Sequence, residues 1–279
     1  MNKGIFCISI DTELLWGRKD LDYSGLIEKT KKERKIIKKI LMLLDKYKVP
    51  ATWAIVGKLF EQGDLLWYGR DIINTIKKYK NQEIGCHSYS HPEFSKITKS
   101  EAEEEIEKSI KNAKELGIKL NSFVFPRNKV NHLNLLHKYG FTSYRGPEPG
   151  VYSQIPVVYF LRQVYSLLGP STPPINKPKK EKRVLNIPGS MYFVSARGLR
   201  KYIPKWLRFY KAKAGIDMAI RNKKVFHLWF HPVDFADETN QMFEELERIL
   251  IYVQVKVNAK KLNALTMGSL ASEFNKTFN

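Results

Sequence analysis

The sequence predicts an α/β fold built on a parallel sheet. Short apolar runs alternate with longer amphipathic stretches along most of the chain, and three of those runs end in acids or histidines. With 279 residues, 43% of them hydrophobic, the chain can bury a sizeable core as a single domain spanning 1–279.

The elements follow in order. Ile5 to Ile10 reads as a buried strand running into Asp11-Thr12-Glu13. Leu26 to Tyr47 is a basic helix whose Ile36, Ile37, Ile40, Leu41, Leu43 and Leu44 form one apolar face, and Ala51 to Val56 is the next strand, completing a βαβ step. A helix near Leu65 to Tyr79 precedes the strand into His87. A further helix from Ser100 to Leu116, with Ser100 and Glu103 as a capping box, precedes the strand Ser122 to Phe125. Leu168 to Arg183 breaks the rhythm with proline and lysine and reads as an exposed insertion; regular pattern returns at Val184 to Pro188. Val225 to Phe230 is the last clear strand and ends in His231-Pro232.

The chemistry sits at strand ends, where α/β enzymes keep it. His87 and His91 are four residues apart, and Pro92 disfavours a helix, so the pair belongs on a loop leaving a strand; imidazole pairs of this kind bind divalent metal. Asp11 and Glu13 alternate to the same side of their strand, so one could ligate a metal while the other takes a proton from water. His231 could donate a proton to a leaving group, whereas His227 lies inside its apolar run and reads as a core histidine.

Ser9-Ile10-Asp11-Thr12-Glu13, His87-Ser88-Tyr89-Ser90-His91 and Leu228-Trp229-Phe230-His231 together resemble the motifs of the polysaccharide deacetylases of the NodB-homology type, carbohydrate esterase family 4. The resemblance implies a distorted, incomplete (β/α) barrel. It also implies Asp11 as catalytic base, Glu13, His87 and His91 as ligands of a divalent metal, and His231 as general acid. Glu13 is longer than the aspartate most members carry. Valine stands where the arginine of the third motif is expected, so Arg127, offset by three residues, is the candidate to orient Asp11. Trp206 and Asp217 are candidates for the fourth motif. The implied activity is metal-dependent removal of an acetyl group, N-acetyl before O-acetyl, from a carbohydrate, with zinc the first choice of metal. A metal-independent C–N hydrolase on the same fold and a non-catalytic membrane or nucleic-acid binding protein are the alternatives.

The formal net charge of +20 points to an anionic partner. From Arg197 to Lys213 basic residues interleave with aromatics, a pattern suited to an anionic membrane surface; Leu199, Tyr202, Trp206 and Phe209 also recur at helical spacing, which suits core packing. No nucleic-acid motif accompanies the charge, so nucleic acid is not the expected partner. Cys7 and Cys86 read as reduced core residues, and the first residues pass directly into a strand without a leader, so a cytoplasmic location, peripheral at the inner membrane face, is expected. The expected substrate is then a nucleotide-linked or lipid-linked sugar precursor.

Overall fold

The structure, a computed structural model, describes residues 2–18, 25–149 and 172–278. Its strands are β1 (Gly4–Thr12), β2 (Thr52–Ile55), β3 (Glu83–Cys86), β4 (Ser122–Val124), β5 (Ser143–Arg145), β6 (Lys179–Glu181), β7 (Val184–Asn186), β8 (Met191–Tyr192), β9 (Val225–Phe230) and β10 (Leu262–Ala264). The helices are α1 (Leu26–Lys46), α2 (Arg70–Ile76), α3 (Lys99–Glu115), α4 (Leu133–Lys138), α5 (Lys205–Asn222), α6 (Thr239–Asn258) and α7 (Met267–Phe278).

One sheet runs β6-β7-β5-β4-β3-β2-β1-β9-β8, with β10 paired to the start of β1. Every pairing between these strands is parallel except β6 with β7. The curled, open sheet is the distorted, incomplete (β/α) barrel expected of the resemblance. β1 is its axis: all nine residues are buried, as a strand covered on both faces requires. Its register sets Cys7 beside His227, Ser9 beside Trp229 on one side, and Asp11 beside Ala54 on the other. β1, β2, β3 and β9 therefore present Asp11, Glu13, His87 and His231 at one end of the sheet.

Helix α1 buries Ile36, Ile37, Ile40, Leu41 and Leu44 at the spacing that makes one face, and an aromatic cluster of Phe94, Phe123, Phe125, Phe141 and Tyr144 packs around β4. Three expectations are corrected. The capping box of α3 is Thr98 with Glu101: Thr98 Oγ1 accepts from the Glu101 amide and Glu101 Oε2 from the Thr98 amide, which leaves Ser100 inside the first turn. The helix expected from Leu65 is only Arg70–Ile76, because Asp64 Oδ1 caps the Leu66 amide in a turn and Gly69 begins the helix. Within the insertion, Lys179–Glu181 is an exposed strand paired antiparallel to β7, Ile175 packs on the core, and Asn176 bridges Val225; residues 168–171 lie outside the described residues. Lysines on an exposed edge strand discourage further pairing, so the composition suits an edge as well as a loop. Among the described residues no helix is long and apolar enough to cross a membrane.

Candidate metal and acid–base site

Asp11, Glu13, His87, His91 and His231 converge at the carboxyl ends of β1, β3 and β9. The centre is Glu13 Oε1, which stands 3.0 Å from His87 Nε2, 3.2 Å from His91 Nε2 and 3.4 Å from His231 Nε2. Gly17, in the turn after β1, backs the other oxygen: a Cβ there would overlap Glu13 Oε2. The turn thus has room for an acid one methylene longer than aspartate.

The loop after β3 is held from several sides. Ser88 and His91 adopt left-handed backbone, at φ 58° and 63°, and Ser88 Oγ accepts from the His91 amide. Glu105 of α3 accepts from the Tyr89 and Ser90 amides, and the β2 loop donates the Gly57 and Lys58 amides to Ser88 and Tyr89 carbonyls. These bonds satisfy the backbone of an irregular loop and place the two rings 4.9 Å apart.

Tautomers follow from the partners. His87 Nδ1 lies 2.7 Å from the Val124 carbonyl, which can only accept, so Nδ1 carries a proton and, in the neutral ring, Nε2 offers a lone pair toward Glu13. His91 Nε2 is buried, faces the same carboxylate and has no hydrogen-bond partner among the described residues. Where a carboxylate faces imidazole lone pairs, a cation between them would offset their mutual repulsion. Ligand atoms bonded tetrahedrally to zinc lie roughly 3.3 to 3.4 Å apart, close to the spacings around Glu13 Oε1. Glu13, His87 and His91 therefore fit a divalent ion. Asp11, Glu13 and His231 also cluster closely enough to hold one, but both Asp11 oxygens already accept from a guanidinium and His231 is turned toward an acid of its own, which favours the first trio.

That guanidinium belongs to Arg145, at the end of β5. Its Nη1 and Nη2 donate to Asp11 Oδ1 and Oδ2 at 2.7 and 2.6 Å, a two-pronged clamp between buried groups. Asn128 Oδ1 accepts from Arg145 Nε and Nη2, Ser9 Oγ from Nη1, and the Trp229 ring lies 4.4 Å from the guanidinium. Ser9 donates in turn to His227 Nε2, whose Nδ1 donates to the Ile187 carbonyl. His227 is thus the core histidine expected; burial, reinforced by Arg145, pushes its pKa down to about 3, so it stays neutral. Burial raises the Asp11 carboxyl, but Arg145, with lesser help from His87 and His231, outweighs burial and holds it below its usual range.

Arg127 does not take that place. Its side chain is 44% exposed and donates to Glu93 Oε1 at 3.1 Å. The fourth-motif candidates also lie apart from the site: Trp206 is on the surface, and Asp217 binds Lys213 and Tyr252. His231 Nε2 faces Glu13 and, at 3.8 Å, Asp11, while Asp234 Oδ2 lies 3.2 Å from Nδ1 and also accepts from the His231 amide and the Tyr192 hydroxyl. Burial lowers the imidazolium's pKa, but Glu13 and Asp234 overcome it and hold it well above the ordinary histidine value. The His231 side chain is 19% exposed, more than the other four, so this ring reaches the opening. Arg145, Asn128 and Asp234 were not anticipated. Arg145 had a legible signal, an arginine at the carboxyl end of a short strand before Gly146-Pro147, which is the rule that located the histidines.

Comparison with known proteins bears on the fold that carries these residues. The polysaccharide deacetylase family model matches residues 28–144, which hold both paired histidines. No curated protein sequence matches the chain. Among solved structures, a protein from Mycobacterium smegmatis described as a polysaccharide deacetylase superposes with a TM-score of 0.72 at 13% identity, over 99% of this chain and 92% of its own. The Puue allantoinase superposes with a TM-score of 0.73 at 13% identity, over 98% and 90%. The peptidoglycan deacetylase PdaC from Bacillus subtilis gives 0.51 at 13% identity, over 99% and 93%. At these identities the likeness establishes the fold.

Proposed function

Because the chain fits a divergent member of the NodB-homology polysaccharide deacetylases, carbohydrate esterase family 4, we propose that it is a metal-dependent carbohydrate deacetylase acting on an N-acetyl group. The observation that carries this reading is Glu13 Oε1 met by imidazole nitrogens of His87, His91 and His231, with Asp11 clamped alongside. Glu13, His87 and His91 would hold the ion, zinc being favoured by two imidazoles and one carboxylate. When bound, such an ion supplies a Lewis acid that polarises the acetyl carbonyl and acidifies water.

The rest of the chemistry belongs to side chains. Arg145 keeps Asp11 ionised and aimed, and each carboxylate oxygen retains a lone pair to take a proton from the attacking water. His231, positioned by Asp234, carries a proton on Nε2 and gives it to the leaving amine. Trp229 packs against Arg145 and Tyr192 and donates to Glu148, so the base and the acid share one supporting wall. A nucleotide-linked or lipid-linked sugar is the substrate class we favour, since either carrier is anionic and the chain is strongly basic.

The test is acetate release from N-acetylated sugars together with metal content. His87→Ala is expected to lose the ion and to lower turnover by roughly a thousandfold or more while its melting curve still shows a folded chain. A full metal complement in that variant would overturn the ligand assignment. Turnover insensitive to chelators would replace this reading with metal-independent hydrolysis of a C–N bond.

A further inference from the structure

The aromatic residues of the 197–213 segment are divided between core and surface. Arg208 is fully buried, donating to the Val194 carbonyl and Glu245, and Ala212, Ile216 and Ala219 continue the inward face of α5. On the outside, Tyr202, Trp206 and Tyr210 are 73%, 51% and 52% exposed. They follow one another at four-residue intervals, and Trp206 and Tyr210 meet edge to face at 5.6 Å. Core packing, which helical spacing had suggested for the segment, therefore does not account for these three rings. Tyr202 has the Lys201 ammonium 5.1 Å from its ring centre. No acidic residue occurs between Glu181 and Asp217, whereas Arg197, Arg200, Lys201, Lys205, Lys211 and Lys213 lie in the segment besides the buried Arg208.

The orientation of α5 gives this surface a direction. A Cβ on Gly4 would stand 2.7 Å from the Ile220 backbone, so the end of α5 abuts the start of β1 and its beginning lies at the opposite end of the sheet. The Arg208 anchor at Val194 follows Phe193, whose amide donates to the Trp229 carbonyl, two residues before His231. The exposed rings thus lie toward the same end of the sheet as the candidate site.

We propose that the turn Gly198–Tyr202 and the first half of α5 form a docking face for an anionic lipid bilayer. Tyrosine and tryptophan rings partition into the interfacial zone of a bilayer, and surrounding lysine and arginine are drawn to acidic headgroups. A single-stranded nucleic acid would also favour basic residues and aromatics, but it needs a groove that tracks its backbone, and these rings stand on the outer flank of a helix and of the turn before it. Docking here turns the cleft toward the membrane, where a lipid-linked sugar would be reached. That consequence rests on the proposed deacetylase reading; the docking itself does not.

The experiment is co-sedimentation of the full chain with vesicles of phosphatidylcholine alone and of phosphatidylcholine mixed with phosphatidylglycerol, none of which contains a sugar substrate. The expected result is sedimentation with the mixed vesicles, weakened by added salt, and none with phosphatidylcholine alone. The triple variant Tyr202→Ser, Trp206→Ser, Tyr210→Ser should bind the mixed vesicles at least about tenfold more weakly with an unchanged melting curve. The pair Arg197→Glu, Lys201→Glu, which leaves the rings intact, should lose a similar factor and guards against a triple variant that unfolds. Equal binding by the wild type and both variants overturns the proposal. So does failure of the wild type to sediment, including the case in which it instead retains a single-stranded oligonucleotide.

Discussion

Strands β3 and β4 end side by side in the sheet, and each is followed by two residues with left-handed backbone, yet the two ends serve the site in opposite ways. After β3, Ser88 and His91 make that turn, and both histidines face Glu13. After β4, Arg127 and Asn128 make it at φ 54° and 55°; Arg127 is sent out to Glu93, while Asn128 faces in and accepts from Arg145. Alternation along a strand says where a side chain points only while the backbone stays extended. Past that limit the loop's own bonds decide, and the charged residue of a motif can be replaced by one from the neighbouring strand.

The largest effect is expected at Arg145, which β5 supplies where Arg127 at the β4 end turns away. Arg145→Ala leaves Asp11 buried without its counter-charge, which should cost about 3 to 5 kcal/mol of stability and lower turnover by roughly a hundredfold or more. Arg145→Lys should recover little of the turnover, because an ammonium cannot reproduce the two parallel donations to Asp11. Denaturant melts and steady-state rates check both. Activity near wild type in Arg145→Ala would return the orienting role to another group, and the replacement of Arg127 by a residue of the neighbouring strand would fail.

Glu33 sharpens the same lesson about guanidinium placement. It is another buried carboxylate near the site, but Arg18 reaches it only at 3.8 Å and its Oε1 has no hydrogen-bond partner among the described residues. Burial, incompletely offset by Arg18, raises its pKa to about 7. The folded state therefore binds this proton more tightly than the unfolded chain does, with its carboxyl near 4.5. Its stabilising contribution is complete below that value and is lost as pH rises through about 7, a change of about 3 kcal/mol. Glu33→Gln should remove most of this loss, so melts at pH 5 and pH 8 should differ less than in the wild type. An unchanged difference would show that Glu33 is ionised in the fold, as Asp11 is.

Much of this arrangement was legible because it rests on local rules. The apolar runs located β1, β2, β3, β4 and β9, and the polar residues closing them located Asp11, Glu13, His87, His91 and His231 where the fold brings them together. What stayed hidden depends on contacts distant in sequence. The Arg145 clamp joins residues 134 apart, and the split of the 197–213 aromatics depends on which side of α5 meets the core. The capping box was misplaced by two residues because Ser100 and Thr98 each have a glutamate three positions on, and helix ends are set by whichever threonine or serine keeps extended backbone, here Thr98 at ψ 165°.

A glycine should matter more at the inward-facing centre than its size suggests. In Gly17→Ala the new methyl would claim the space of Glu13 Oε2, and the carboxylate must swing from the two imidazoles. Metal affinity should fall by about 10- to 100-fold, as when a group that orients a ligand is lost. A competition titration with a chromogenic chelator measures it, and unchanged affinity would mean that Glu13 adapts or is no ligand.

The smallest effect should come from Arg127, and its smallness is informative. The side chain is 44% exposed, and the Glu93 carboxylate it binds lies outside the cluster around Glu13 Oε1, so Arg127→Ala should leave turnover within about twofold and stability within about 0.5 kcal/mol. The left-handed backbone at this position adds a second test. Arg127→Gly removes the same guanidinium while relieving a φ of 54°, so it should match Arg127→Ala in turnover and equal or exceed it in stability. A large loss of turnover in both variants, with metal content retained, would show that the outward-facing end of β4 acts on substrate, and the opposition between the two strand ends would fail.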